Sequence, residues 1–250
     1  MPDHDFRSQR LFVPHDLAEG QQVLLGAEQA HYLANVIRLP VGGGLLVFNG
    51  RQGEWQARRA EGGKREVRLD IGAQTRTQPA ASSLTYAFAP LKHARLDYMV
   101  QKAVEMGAGV LAPVLTQHTQ ISRINTERMT ANVIEAAEQC GILNVAEVRE
   151  PMPLAAFLAQ IPETQALVFC DEAAPVTDPI QALQPLAGRP ITVLIGPEGG
   201  FSADERKLLL RDPRVTAIAL GPRILRADTA AVAALALVEA TCGDWDKQVD

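Results

Sequence analysis

Val193-Leu194-Ile195-Gly196-Pro197-Glu198-Gly199-Gly200-Phe201-Ser202 is the stretch on which the reading of this 250-residue chain turns. Apolar, β-favouring residues run into a glycine turn, and Ser202 with Glu205 then forms the S-x-x-E pattern of a helix capping box. Strand, tight turn and helix in that order make a βα unit, whose strand opens onto the crevice where α/β proteins hold ligands. The turn matches neither GxGxxG nor GxxxxGK[ST], and Glu198 at its centre would repel a phosphate. It predicts a ligand that is uncharged or cationic on that side.

A second turn of similar construction is Leu220-Gly221-Pro222-Arg223-Ile224-Leu225-Arg226-Ala227-Asp228-Thr229. It follows an apolar stretch, and Asp228 or Thr229 is expected to cap an alanine-rich helix over 230–240. If the two strands are neighbours, the Gly-Pro turns lie side by side. Their backbone N–H and C=O groups then face an adenine edge that the bare glycines allow to approach closely. Ala230, Ala231, Ala233, Ala234, Ala236 and Ala240 leave the helix almost no polar face, which predicts burial in the core or across a subunit boundary.

Outward from these turns, apolar stretches at 84–91, 110–115, 166–169, 191–195 and 216–220 alternate with helical patterns at 96–106, 127–140 and 204–210. That alternation predicts an α/β domain over 84–250 with a largely parallel sheet. Residues 10–71 read differently, as short strands (Leu11-Phe12-Val13, Leu45-Leu46-Val47-Phe48, Glu54-Trp55-Gln56-Ala57, Val67-Arg68-Leu69) with an Asn49-Gly50 turn. One helix over 28–39 interrupts them, with Tyr32, Val36 and Ile37 on a common face. A small β-barrel-like domain over 1–72 is expected, joined by a polar linker at 73–83. Its basic residues (Arg51, Arg58, Arg59, Lys64, Arg65, Arg68) interleave with acidic ones, forming either a solvated strand face or an RNA-facing patch.

A hydrophobic fraction of 47% suits a packed core, and a net charge of -5 argues against nucleic-acid binding by global attraction while allowing a local patch. The first ten residues lack a signal-peptide core and no run suits a membrane span, so a soluble, cytoplasmic protein is expected. Cys140, Cys170 and Cys242 form no CxxC pair, which fits a reducing compartment. His4, His15, His31, His93 and His118 have no metal spacing, so no metal is expected.

LIGPEGGFS at 194–202 and LGPRILRADTA at 220–230 closely resemble the two signature motifs of the bacterial 16S ribosomal RNA uridine-N3 methyltransferases, which are SPOUT-class knotted enzymes. The resemblance extends to Arg10-Leu11-Phe12-Val13, to His31-x-x-x-Asn35-Val36-x-Arg38-Leu39 and to Phe48-Asn49-Gly50-Arg51-x-Gly53-Glu54-Trp55, which look like that family's PUA-like RNA-binding domain. Gln101-Lys102-Ala103-Val104-Glu105-Met106-Gly107 and Glu135-Ala136-Ala137-Glu138-Gln139-Cys140-Gly141 also fit. The chain departs from the family pattern at Ile142, Val145-Ala146, His118 and Asp228, and two of these positions commonly carry arginine.

The resemblance implies a trefoil-knotted α/β methyltransferase domain, S-adenosylmethionine bound bent in the knot, and a homodimer acting on 16S ribosomal RNA of the small subunit. The knot follows from the resemblance alone, since chains almost never thread loops. The cofactor-binding residues it implies are Leu194, Ile195, Gly196, Pro197, Gly199, Gly200, Leu220, Gly221, Ile224, Leu225 and Ala230, and the RNA-binding residues are Arg10, His31, Arg38, Arg51 and Lys102. Methylating uracil N3 removes an imide proton and spreads negative charge over the ring oxygens, a role that assigns Arg226, with Arg223, to oxyanion stabilisation. Glu198 is the proton acceptor or the group that orients the sulfonium end, or else a hydrogen-bonding brace for its turn. Methylation at carbon 5 would instead want a cysteine nucleophile, and neither turn contains one. The rival readings are another SPOUT enzyme acting on a transfer RNA base or a ribose, and a non-catalytic RNA-binding assembly factor.

Overall fold

The computed structural model describes residues 8–62, 66–121, 123–174 and 178–245. They divide into two compact units, one running through Ala81 and also containing 137–145, the other made of 82–136 and the residues from Ala146 onward. His4, Lys64 and Arg65 lie outside the described residues.

The first unit contains β1 (Arg10–Phe12), β2 (Gln22–Leu24), α1 (Ala27–His31), β3 (Gly44–Phe48), β4 (Glu54–Arg59) and β5 (Arg68–Arg76). The sheet order is β1-β3-β4-β5-β2, parallel between β1 and β3 and antiparallel elsewhere. Period-two alternation sends Leu45, Val47, Ala57, Leu69 and Ile71 into one core with Ala30 and Leu33.

Two expectations need correction here. The polar stretch from residue 73 does not begin a linker: β5 continues through Arg76, pairing Gln74 with Trp55 and Arg76 with Glu54. Polar residues suit a strand with one solvated face, so composition alone mistook the end of a strand for a connector. The helix at 28–39 is also not regular, because α1 runs into a π-turn over Tyr32–Val36, closed by Ile37 N–H to the Tyr32 carbonyl at 3.0 Å. The wider turn breaks the 3.6-residue period and leaves Val36 60% exposed rather than beside Tyr32. Arg38 follows with φ of 53°, a left-handed backbone that residues other than glycine seldom adopt.

The second unit contains β6 (Leu84–Phe88), α2 (His93–Glu105), β7 (Val110–Leu115), α3 (Thr126–Cys140), β8 (Glu147–Val148), β9 (Met152–Pro153), α4 (Leu154–Gln160), β10 (Ala166–Cys170), α5 (Pro179–Leu183), β11 (Ile191–Ile195), α6 (Ala203–Arg211), β12 (Val215–Ile218) and α7 (Ala227–Cys242), with the end of α3 falling in the first unit. Its sheet order is β12-β10-β11-β6-β7-β8, with β9 beside β7 and every registered pair parallel. All five residues of β11 are buried, as a strand covered on both faces requires. Leu194, Leu167, Ala87 and Ala112 pack with Phe157, Leu158 and Leu209, while α7 lies against α2, α5 and β11.

The two turns therefore do not stem from neighbouring strands, because β10 stands between β11 and β12. The cap of α7 also differs from the sequence expectation. The helix starts at Ala227 with Arg226 as an extended N-cap, and Asp228 sits inside the first turn, where its Oδ1 accepts the Thr229 N–H at 2.9 Å. A carboxylate there is still favourable, through the positive end of the helix dipole.

Candidate functional site

The turn after β11 is held by contacts that each need its sequence. A Cβ on Gly196 would stand 2.5 Å from the Phe201 ring, so glycine there lets Phe201 fold back and meet Phe169 edge-on at 5.2 Å. Gly200 has φ of 70° and Gly221, in the second turn, 89°; a Cβ on either would meet no atom within 4 Å. Their absent side chains answer a backbone demand and leave open space beside the chain. Ser202 and Glu205 form the expected reciprocal capping box at the start of α6. His118, where the family pattern usually has arginine, places Nδ1 at 3.2 and 3.0 Å from the carbonyls of Gly199 and Gly200, stitching the loop after β7 to the turn.

Leu194 and Ile195 are buried in the strand, Pro197 is buried just beyond it, and Glu198 and Gly199 are exposed. Glu198 is ion-paired with Arg95 on α2, a residue that sequence reasoning passed over because a lone arginine in a helical pattern reads as surface. In the second turn Leu220, Leu225 and Ala230 are half-buried, Gly221 is exposed, and Ile224 is 91% exposed. Arg223 and Arg226 are exposed, and among the described residues their side chains make no hydrogen bond or ion pair. With one strand between them, the stems of the two turns stand about 10 Å apart, a span of two interstrand spacings.

The end of β10 falls in that gap. Cys170 lies there, half-buried, and desolvation pushes its thiol up to about 12, which favours the protonated form. Burial likewise raises the Tyr86 phenol on β6 well above its ordinary value, with Cys170 and Asp228 adding to the shift. The next residue, Asp171, is fixed by Arg206 at 2.9 Å and donates its N–H to the Ile218 carbonyl. The Asp171–Arg206 pair thus stands at the end of the strand between the turns, with Glu198 on the first turn and Arg223 and Arg226 on the second as further charges.

The five expected RNA-binding residues separate. Arg10 is corrected: it is 5% exposed and paired with Glu54 at 2.9 Å, so it stands in the first unit's interior. Arg76 joins the same carboxylate at 2.6 Å and bonds the Gly141 carbonyl at 3.0 Å. Burial would raise the Glu54 carboxyl, but hydrogen bonds from Arg76, Arg10 and Thr75 more than offset it and hold Glu54 below its ordinary 4.5. Arg51 is exposed, paired with Asp16 at 2.9 Å. His31 and Arg38 are exposed at either end of the π-turn, with Asn35 Nδ2 3.1 Å from His31 Nδ1. Lys102 is in the second unit, on α2, bonded at 2.7 Å to both oxygens of Glu105. Among the described residues no cluster of ligands suits a metal ion, and no helix is long and apolar enough to cross a membrane.

Residues 78–239 match the family described as RNA methyltransferase domain, and residues 24–72 match the RNA methyltransferase PUA domain. The chain is similar to the ribosomal RNA small subunit methyltransferase E of Rickettsia conorii, with 32% identity over 92% of this chain and 94% of that one. The protein of the same name from Synechocystis is 30% identical over 92% and 77%. Among solved structures, a Legionella pneumophila protein in complex with the bound cofactor SAM superposes with a TM-score of 0.82 at 28% identity, covering 94% of this chain and 98% of the other. A ribosomal RNA small subunit methyltransferase E from Neisseria gonorrhoeae bound to S-adenosyl methionine gives 0.82 at 25% identity, covering 96% and 100%.

Proposed function

The chain belongs to the RNA methyltransferase family of ribosomal RNA small subunit methyltransferase E, and from that premise we propose that it methylates N3 of a specific uridine in 16S ribosomal RNA. The observation that carries this is the pair of Gly-Pro turns flanking the end of β10, where glycines with φ of 70° and 89° leave open space against exposed backbone. That cradle fits S-adenosylmethionine, whose adenine edge needs backbone donors and acceptors and whose sulfonium suits the carboxylate of Glu198. The residues that would hold it are Leu194, Ile195, Gly196, Pro197, Gly199 and Gly200 of the first turn, with Leu220, Gly221, Ile224, Leu225 and Ala230 of the second.

When bound, S-adenosylmethionine supplies the methyl group: the N3–CH3 bond forms as the S–CH3 bond breaks, the electron pair stays on sulfur, and the N3 proton leaves to a base. Glu198 is that base, and Arg226, with Arg223, lowers the energy of the charge that develops on the ring oxygens. The absence of a cysteine from both turns supports a nitrogen acceptor over methylation at carbon 5.

The first unit serves as a PUA-like domain that holds the RNA through His31, Arg38 and Arg51, and the acceptor is the assembled small subunit in the cytoplasm. A target base must leave its stack to react, which favours a folded RNA context over a short free strand. The α7 face carrying Ala230, Ala233 and Leu237 is half-buried in one copy, which supports its completion by a second copy in a homodimer. The return of α7 onto α2 and α5 after β12 has passed outside β10 supports the trefoil path.

The test is Arg226→Ala in single-turnover methylation with S-adenosylmethionine affinity measured calorimetrically. Loss of transfer at unchanged affinity is expected; unchanged transfer removes Arg226 from the chemistry. No binding of S-adenosylmethionine by the wild-type chain would overturn the enzyme reading.

A further inference from the structure

A cavity of about 260 Å³ opens on the flank of the glycine turn that faces away from β10, over the ends of β11, β6 and β7. Lys92, Ala94 and Arg95 line it from the start of α2, His118 and Gln120 from the loop after β7, and Glu198 from the turn itself. Its volume lies just below the roughly 300–1,000 Å³ usual for whole cofactors and drug-sized ligands, and so suits a fragment such as one planar base. Resting on the function proposed above, we propose that this cavity receives the flipped-out target uracil, and that the Arg95–Glu198 pair is the device that reads it.

Donors and acceptors in the cavity match those of the base. The uracil imide edge presents an acceptor, a donor and an acceptor, O4, N3–H and O2. The cavity wall holds groups of the complementary kinds: Arg95 and Lys92 can only donate, and the Glu198 carboxylate paired with Arg95 accepts. In the chain alone Arg95 satisfies Glu198 directly. Entry of the base exchanges that ion pair for two hydrogen bonds of the same polarity, with Arg95 passing to a ring oxygen and Glu198 to N3–H. The exchange leaves the carboxylate on the atom whose proton must depart. Cytosine meets Glu198 with an N3 lone pair and Arg95 with an amino group. Guanine matches the first two positions and then turns an amino group toward a donor. Both leave polar groups facing like partners, a mismatch that sites built on hydrogen bonds reject by about 10⁴-fold.

The sharing of one turn explains the placement. The turn carries proposed cofactor residues and also supplies Pro197 and Glu198 to the cavity, so an acceptor in the cavity and a donor in the cradle meet at the rim of the turn, beside the Glu198 carboxylate. His118 on the loop after β7 holds that turn through the Gly199 and Gly200 carbonyls, and Glu205 on α6 holds the same loop through the Gln117 N–H.

The experiment uses the full chain, S-adenosylmethionine, and small ribosomal subunits from cells lacking the modification. Ala94→Trp plugs the cavity from an exposed helix position, and Arg95→Ala removes the reader. Each is expected to reduce methyl transfer by about 100-fold or more, with calorimetric affinity for S-adenosylmethionine and Tm unchanged. Reconstituted subunits carrying cytidine or guanosine at the target are expected to remain unmethylated. Wild-type transfer by both variants, or methylation of the guanosine subunits, would overturn the assignment. Loss of S-adenosylmethionine binding in both variants would also overturn it, by giving the cavity to the cofactor. If the wild-type chain itself neither binds S-adenosylmethionine nor methylates the subunits, the underlying function fails instead.

Discussion

Glu205 and Gln117 are tied across the second unit: Glu205 Oε1 accepts the Gln117 backbone N–H at 2.7 Å, while its other oxygen accepts the Ser202 N–H at 2.9 Å. One carboxylate thus caps α6 and anchors the loop after β7. Glu205→Ala is expected to lower the unfolding free energy by about 1–2 kcal/mol, and Glu205→Gln by less, since an amide oxygen still completes the box. Urea unfolding of the full chain checks both, and equal stability of Glu205→Ala and wild type would count against the double role.

Arg10 is expected to matter for stability and not for RNA. Arg10→Met leaves Glu54 buried with one fewer partner and should cost about 3 kcal/mol, with the salt slope of RNA binding unchanged. The acid behaviour follows from the direction of the Glu54 shift. Its folded value is lowered, so its contribution is complete above the ordinary 4.5 and is lost as pH falls through the folded value. Stability of the first unit should therefore decline below about pH 4.5, and Glu54→Gln should flatten that decline. A pH series of thermal melts measures it.

Arg38 separates backbone cost from charge. Its left-handed φ of 53° is strained for an arginine, so Arg38→Gly should raise stability by about 1 kcal/mol. The same change removes an exposed cation beside the π-turn and should lower RNA affinity, reducing the salt slope by about one. A variant that lost stability, or bound RNA as before, would contradict one half of this expectation.

The glycines of the two turns should respond differently to alanine. Gly196→Ala drives a Cβ to 2.5 Å from the Phe201 ring and should cost about 1–3 kcal/mol of overpacking, partly recovered by Phe201→Leu. Gly221→Ala meets open space and should cost about 1 kcal/mol of backbone strain while weakening S-adenosylmethionine binding. Denaturant unfolding beside calorimetric titration distinguishes the two patterns.

Much of the second unit was legible because its signals are local. The strand at 191–195 is apolar throughout, and the Ser202–Glu205 box satisfies helix donors with residues three apart, so both are written in consecutive sequence. The first unit was harder to read. Its final strand is polar, its helix carries a π-turn, and part of its core comes from Leu143 and Ala137, far along the chain from Phe48. Periodicity has no means of reporting such pairings.

What the sequence by itself determined is the pair of Gly-Pro turns and the chemistry they exclude, since Glu198 and the missing lysine rule out a phosphate site on residue type alone. Only the tertiary structure decided what stands beside them. Strand order inserted β10 and its half-buried Cys170 between the turns, burial turned Arg10 from a surface cation into an interior one, and the packing of α2 brought Arg95 to Glu198. The physical reason is common to all three: an ion pair, a desolvated group or a neighbouring strand joins residues separated by tens of positions, and their energies depend on distances that no stretch of sequence contains.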